Sequence, residues 1–245
     1  MSVSRRWVTF DCYGTLVDWQ SWFTDTLGTI AGRGVDGLVR AYHLHERTAE
    51  SEQPHRSYKD VLVTALVRAA ADRGIRLARP EARVLVQAWP SMRLFADVEP
   101  MLAELRSRGY RVAVLTNCDD DLFAITHRLF GTPFDLFVTA ERVRGYKPAR
   151  WHFRGFELMT GVTREDWVHV ANSWYHDVAP AQALGVRRVW LDRDGTGESV
   201  GSGTIRVRTA AQVAGAVDGL FGDTAKPPAG GGFVVGTTAA PVAIA

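Results

Sequence analysis

The stretch Trp7-Val8-Thr9-Phe10-Asp11-Cys12-Tyr13-Gly14-Thr15-Leu16 decides the fold. Trp7 to Phe10 is a short apolar run, Asp11 ends it, and Gly14 follows. That order reads as a buried strand that stops on a carboxylate and turns at once. The next strand signal is distant. Between about Trp19 and Ser91 apolar residues recur at helical spacing, as in Val61, Leu62, Leu66, Val67 and Ala70, and Pro54 and Pro80 interrupt the run. A helical insert is expected there.

Beyond the insert, strands and helices alternate. The pattern predicts a helix over Val98–Arg108 and a strand over Arg111–Leu115, with Thr116-Asn117-Cys118-Asp119 as a helix cap. A strand at Leu136–Ala140, a helix at Ala149–Thr160 and a strand at Trp167–Ala171 follow. Val178–Leu184 reads as a helix closed by Gly185, and Arg188–Leu191 as a strand. A Gly/Ser-rich loop then runs to Gly203, before a weak strand at Ile205–Val207 and a helix at Ala210–Leu220. This alternation predicts an α/β fold with a parallel, doubly wound sheet. Residues 223–245, rich in Gly, Ala, Pro and Thr, read as a flexible tail, with Phe233-Val234-Val235 as a strand-like piece that could dock on the body.

Composition narrows the function. The chain has 245 residues, 46% hydrophobic and 23% charged, enough for one α/β domain with an insert. The net charge is only +2, from 29 basic and 27 acidic residues mixed along the chain, so nucleic acid is not expected as a partner. No stretch reaches the ~18 apolar residues of a membrane span, and the first residues lack a signal peptide's apolar run. Cys12 and Cys118 are too few for a disulfide scaffold. The expectation is a cytoplasmic enzyme.

In an open parallel sheet, ligands bind beyond the carboxyl ends of the strands. Four polar clusters fall there: Asp11 with Thr15; Thr116-Asn117; Lys147 within Gly145-Tyr146-Lys147-Pro148; and Asn172-Ser173 followed by Asp177. An aspartate beside a lysine stays ionised, as a carboxylate nucleophile requires. Each residue also has a purely structural reading. Asp11 can cap a helix, Lys147 can be a solvated loop residue, and Asn172 and Ser173 can be turn formers. His176 reads equally as a water-activating base or a satisfied surface histidine. Trp19 and Trp22 read as pocket wall or as core. His43 and His45 face different ways on a helix and make no metal pair.

Taken together, the four clusters resemble the four motifs of the haloacid dehalogenase superfamily. Phe10-Asp11-Cys12-Tyr13-Gly14-Thr15-Leu16 is similar to the first, Leu115-Thr116-Asn117 to the second, Tyr146-Lys147-Pro148 to the third, and Val170 to Asp177 to the fourth. The resemblance implies a Rossmann-like core from residues 1–17 and 94–222, with residues 18–93 as a helical cap. Phosphatases of that superfamily carry a general-acid aspartate two residues after the nucleophile, where this chain has Tyr13. They hold Mg²⁺ with two fourth-motif acids, where this chain has Asn172 and Asp177. Asp-x-Tyr-Gly-Thr instead resembles the L-2-haloacid dehalogenases, which use no metal or other cofactor.

What that branch implies is an ester on Asp11, formed as halide leaves C2 of a small carboxylic acid and then hydrolysed by water. Thr15 would hydrogen-bond near Asp11, Lys147 would be its charge partner, and Asp177 would close the site. Tyr13, Thr116, Asn117, Asn172, Ser173, Trp174 and His176 would line the substrate pocket, and Arg40 of the cap would guide the anion. Three positions depart from the family pattern: Phe153 stands for a tyrosine, Asn172 for a serine and Trp174 for an asparagine. The alternatives are opening of a strained C–N or C–O ring by the same route, a Mg²⁺ phosphatase, and a binding protein on the same scaffold. Dimers are common in the family, so a homodimer is left open.

Overall fold

Val8 pairs with Val112 on one side and with Val168 on the other. Strand β1 (Trp7–Phe10) is thus central, between β2 (Arg111–Thr116) and β4 (Trp167–Ala171). With β3 (Leu136–Thr139), β5 (Arg187–Leu191) and β6 (Thr204–Val207) they form one six-stranded parallel sheet, ordered β3-β2-β1-β4-β5-β6. The computed structural model describes residues 6–196 and 200–222, so the expected tail at 223–245 lies outside the described residues. All four residues of β1 and all five of β4 are buried, the pattern of strands covered on both faces. The chain winds from β1 out to β3, then returns to the other side of β1. The turn-around sets the ends of β1 and β4 side by side, the place where an open α/β sheet binds ligands.

The helical segment leaves and rejoins the sheet at one point. Asp18 N donates to Arg93 O at 2.9 Å, and Phe95 N donates to Leu16 O at 3.0 Å. Between these contacts lie α1 (Trp19–Ala31), α2 (Val35–Ser51), α3 (Tyr58–Asp72) and α4 (Val84–Ala88), and no strand of the sheet. Helix α2 turns Leu38, Val39, Tyr42, Glu46 and Ala49 inward, a helical period. Trp19 stacks on Trp22 at 5.0 Å between ring centres, and both meet Trp89 edge-on.

Around the sheet lie α5 (Val98–Ser107), α6 (Asp120–His127), α7 (Ala140–Val143), α8 (Trp151–Thr160), α9 (Ala179–Ala183) and α10 (Val213–Gly222). Two local readings need correction. Asp119 does precede a helix, but its carboxylate caps α3 of the other segment, accepting from Tyr58 N at 2.7 Å and Lys59 N at 3.0 Å. The helix expected from Val178 starts earlier and wider, as a π-helical turn over Trp174–Val178. Ser173 O accepts from both Asp177 N and Val178 N, which inserts one residue into the turn. Such turns are frequent at functional sites.

Candidate active site

Asp11 follows β1 directly and is 7% exposed. Its backbone N–H donates to Val170 O at 3.1 Å, so β4 fixes the height of its carboxylate. Thr15 donates its hydroxyl to Asp11 Oδ2 at 2.8 Å, while Lys147 Nζ stands 2.8 Å from Oδ1. Gly14 makes that short return possible: its φ of +88° lies where a side chain would be strained.

Lys147 is 1% exposed and uses all three of its protons, donating to Asp11 Oδ1, to Leu115 O at 2.8 Å and to Asp177 Oδ1 at 2.6 Å. Two carboxylates thus share one buried cation. Burial penalises the ammonium, but the two aspartates outweigh it and hold Lys147 above its ordinary range. Burial also raises Asp177, yet Lys147 and His169 win and hold its carboxyl at about 2. Burial pushes Asp11 up, Lys147 pulls it back, and the Asp177 charge adds to the rise, leaving a desolvated carboxylate backed by a fixed cation.

Behind Asp177 lies a chain of hydrogen bonds. Trp167 Nε1 donates to Thr9 Oγ1 at 2.8 Å. Thr9 Oγ1 is 2.8 Å from His169 Nδ1, and His169 Nε2 is 3.0 Å from Asp177 Oδ1. An ionised carboxylate can only accept, so the imidazole carries a proton on Nε2, toward Asp177. Asp177 Oδ1 therefore receives two donors, while Oδ2 is buried without a hydrogen-bond partner among the described residues.

A cavity of about 800 Å³ opens over these groups, between the sheet and the helical segment. Of the residues expected at the site, Asp11, Tyr13, Asn117, Lys147, Asn172, Ser173, Trp174, His176 and Asp177 line it. Thr15 lies beneath Asp11, fully buried. Thr116 is not on the wall. It is buried at the end of β2, with its hydroxyl 3.7 Å from Cys118 Sγ and its carbonyl accepting from His152. Arg40 is exposed on α2 and also off the wall. Arg47, two helical turns further on, lines the cavity instead, with its guanidinium 4.5 Å from the centre of the Tyr175 ring.

Several expected contacts are spent elsewhere. Tyr13 turns its hydroxyl to Thr126 Oγ1, 2.9 Å away. Asn172 uses its side chain on Asp194 and Arg193 N. Phe153 is fully buried and packs edge-on against His169, 5.1 Å between ring centres. Trp19 is on the wall, whereas Trp22 is buried beside it. Both cysteines are buried free thiols, and burial pushes both pKa values up, that of Cys118 to about 12.

Residues not foreseen also reach the cavity. Glu46 accepts from Tyr42 and Tyr58 hydroxyls and lies 3.2 Å from His43 Nδ1. Burial raises Glu46, but His43 and Tyr58 more than offset it and hold the acid below its usual range. Glu50 accepts from Asn117 Nδ2 at 3.1 Å and lies 3.7 Å from His176 Nε2. The available signal was two glutamates four apart on an otherwise apolar helix face. Among the described residues no group of three or more His, Cys, Asp and Glu side chains is arranged to hold a metal ion.

A doubly wound α/β protein with a lysine-backed aspartate at the switch point of its sheet is the class that this fold and site define. Residues 6–185 match the haloacid dehalogenase-like hydrolases, and the chain belongs to that family and is a hydrolase. It is 26% identical over 194 residues to haloacetate dehalogenase H-2 of Moraxella sp. (strain B), covering 77% of this chain and 86% of that protein. It is also 26% identical over 194 residues to the (S)-2-haloacid dehalogenase of Pseudomonas sp. (strain YL), covering 77% and 83%. Phosphoserine phosphatase of Thermus thermophilus is 35% identical over a shorter 124 residues, covering 47% and 49%. The crystal structure of the L-2-haloacid dehalogenase RSc1362 superposes with a TM-score of 0.78 at 22% identity, over 88% of this chain and 99% of that one.

Proposed function

We propose that this hydrolase cleaves a bond at a saturated carbon beside a carboxylate through an ester on Asp11, and that small 2-haloacids are its leading substrates. The observation that carries the reading is the environment of Asp11. One oxygen takes Lys147, the other takes Thr15, and the carboxylate lies on the floor of a cavity. A desolvated, oriented carboxylate can attack carbon in line as halide leaves. Water then attacks the ester carbonyl and regenerates Asp11. Asp177, on the wall of the same cavity, holds Lys147 in place beside Asp11 through both steps. The helical segment serves as the cap, and Arg47 on its α2 offers a cation for the substrate carboxylate. The relatives named as dehalogenases support the reaction class.

The test is turnover of 2-chloropropionate in ¹⁸O water, followed by mass spectrometry of the Asp11 peptide. Label in Asp11 is expected, and Asp11→Asn should abolish halide release while the fold persists. Halide release with label only in the product would defeat the ester route. The second reading, a phosphatase, draws on the phosphoserine phosphatase relative. Two positions speak against it: Tyr13, whose hydroxyl is engaged with Thr126, and Asn172, engaged with Asp194. EDTA is therefore expected to leave activity intact, and phosphate release that requires Mg²⁺ would favour the phosphatase.

A further inference from the structure

The cavity contains a carboxylate–imidazole pair that the bond-breaking step of dehalogenation does not need. Glu50 comes from α2 and His176 from the π-helical turn after β4, and both line the cavity that holds Asp11. Glu50 Oε2 lies 3.7 Å from His176 Nε2, and the Glu50 side chain is only 7% exposed. Asn117 Nδ2, which also donates to Lys147 O, steadies Oε1. On the far side of the imidazole, Ser173 Oγ lies 3.0 Å from Nδ1. A halide leaves as a stable anion and takes no proton. A nitrogen or oxygen expelled from saturated carbon takes one, and a placed acid supplies it.

Three other proton carriers on the wall are committed. Lys147 spends its three protons on Asp11, Leu115 and Asp177, Tyr13 points at Thr126, and His43 is held by Glu46. We propose that Glu50 and His176 are the proton donor for a nitrogen or oxygen leaving group, so that this enzyme opens a strained C–N or C–O ring of a small carboxylic acid. The proposal rests on the Asp11 ester reading and deepens it.

An Asp11 carboxylate oxygen bonds to the ring carbon. The carbon–heteroatom bond breaks with its electron pair on nitrogen or oxygen, and that atom takes the Nε2 proton of His176, whose charge Glu50 had matched. Water then adds to the Asp11 ester carbonyl and the acyl–oxygen bond breaks. The product keeps one water proton as its hydroxyl, and the other returns to His176. No proton is released to solvent, whereas dehalogenation releases one per turnover. The surroundings favour the protonated form of both groups. Burial pulls His176 down, but Glu50, with Asp177 and Glu46 behind it, lifts the imidazole above its ordinary value, and burial also raises Glu50 itself.

The experiment offers wild type 2-chloropropionate, oxirane-2-carboxylate and azetidine-2-carboxylate, then repeats the series with Glu50→Gln and His176→Gln. Ring opening is read by mass of the product and halide by ion chromatography. Wild type is expected to open at least one ring acid without net proton release. Both variants should lose roughly 10²-fold in kcat/KM on the ring, as removal of a general acid typically costs, and at least tenfold less on the chloride. Equal losses on ring and chloride, in either folded variant, would overturn the proton-donor role. Halide release without any ring opening would overturn the proposal and leave the Asp11 ester reading standing. Neither product, with no ¹⁸O in Asp11, would remove both.

Discussion

His169 Nε2 and Asp177 Oδ1 lie 3.0 Å apart in the interior, and Thr9 on the next strand holds the other ring nitrogen at 2.8 Å. The pair joins β1, β4 and the π-helical turn in one network that ends on Lys147 and Asp11. Hydrogen bonds to a charged group contribute about 1.5–3 kcal/mol, or roughly ten- to a hundredfold in rate if felt fully at the site. His169→Leu is therefore expected to lower kcat by about that factor with little change in KM. His169→Gln, which restores a donor at the same reach, should recover part of the loss, and Thr9→Val should lose less. Steady-state kinetics on the three variants check this. If Gln is no better than Leu, the bond to Asp177 is not what matters.

Lys147 serves two carboxylates at once, so its removal has a thermodynamic signature as well as a kinetic one. In Lys147→Met, Asp11 and Asp177 face each other in a dry site without a cation. Breaking a buried pair in this way typically costs about 3–5 kcal/mol. The orphaned acids should titrate above their unfolded values, so the cost is present at neutral pH and relieved as pH falls through those raised pKa values. Urea unfolding at pH 7 and pH 5 measures it, alongside an expected ~10²-fold or larger loss of kcat. Equal destabilisation at both pH values would contradict the shared-cation account.

Arg47 and Arg40 differ by two turns of α2 and by access to the cavity. Arg47→Ala is expected to raise KM for a carboxylic acid substrate by roughly tenfold, the effect of losing about 1.4 kcal/mol of charge-assisted binding. Arg40→Ala should behave as wild type. Initial-rate measurements with both variants suffice, and the reverse pattern would restore Arg40 as the anion guide.

Asp177 also predicts an acid-stability profile. Its folded pKa of about 2 lies below its usual 3.8. A depressed carboxyl stabilises the fold fully above the unfolded pKa, and that stability is lost as pH falls through the folded one. The window is therefore about pH 4 to 2, and the contribution is on the order of 2 kcal/mol. Titration of the Asp177 carboxyl ¹³C resonance should show a midpoint below pH 3. A midpoint near 4 would mean that Lys147 and His169 do not hold it.

The sequence by itself determined the parallel sheet and where its reactive ends lie. Short apolar runs such as Trp7–Phe10 and Trp167–Ala171, bounded by turn signals, read as buried strands, and each stops on a polar residue at the carboxyl edge of the sheet. That local pattern made Asp11 legible, and the resemblance of the four motifs pointed to Lys147 and Asp177. What the sequence did not contain is which residues of distant segments share a space. Arg47 rather than Arg40 faces the cavity because α2 packs at one height over the sheet, a fact set by contacts with α1 and α3. In the sequence His169 is one more strand residue, and two strands and a turn are needed to join Thr9, His169 and Asp177. Thr116 turns its hydroxyl to Cys118, and Asp119 caps a helix some sixty positions away. Glu50 and His176, 126 positions apart in the chain, meet only once the helical segment is folded back over the sheet. Strand and helix periodicity is a local property of side chains, whereas the pairing of buried charges follows from packing, which only the tertiary structure decides.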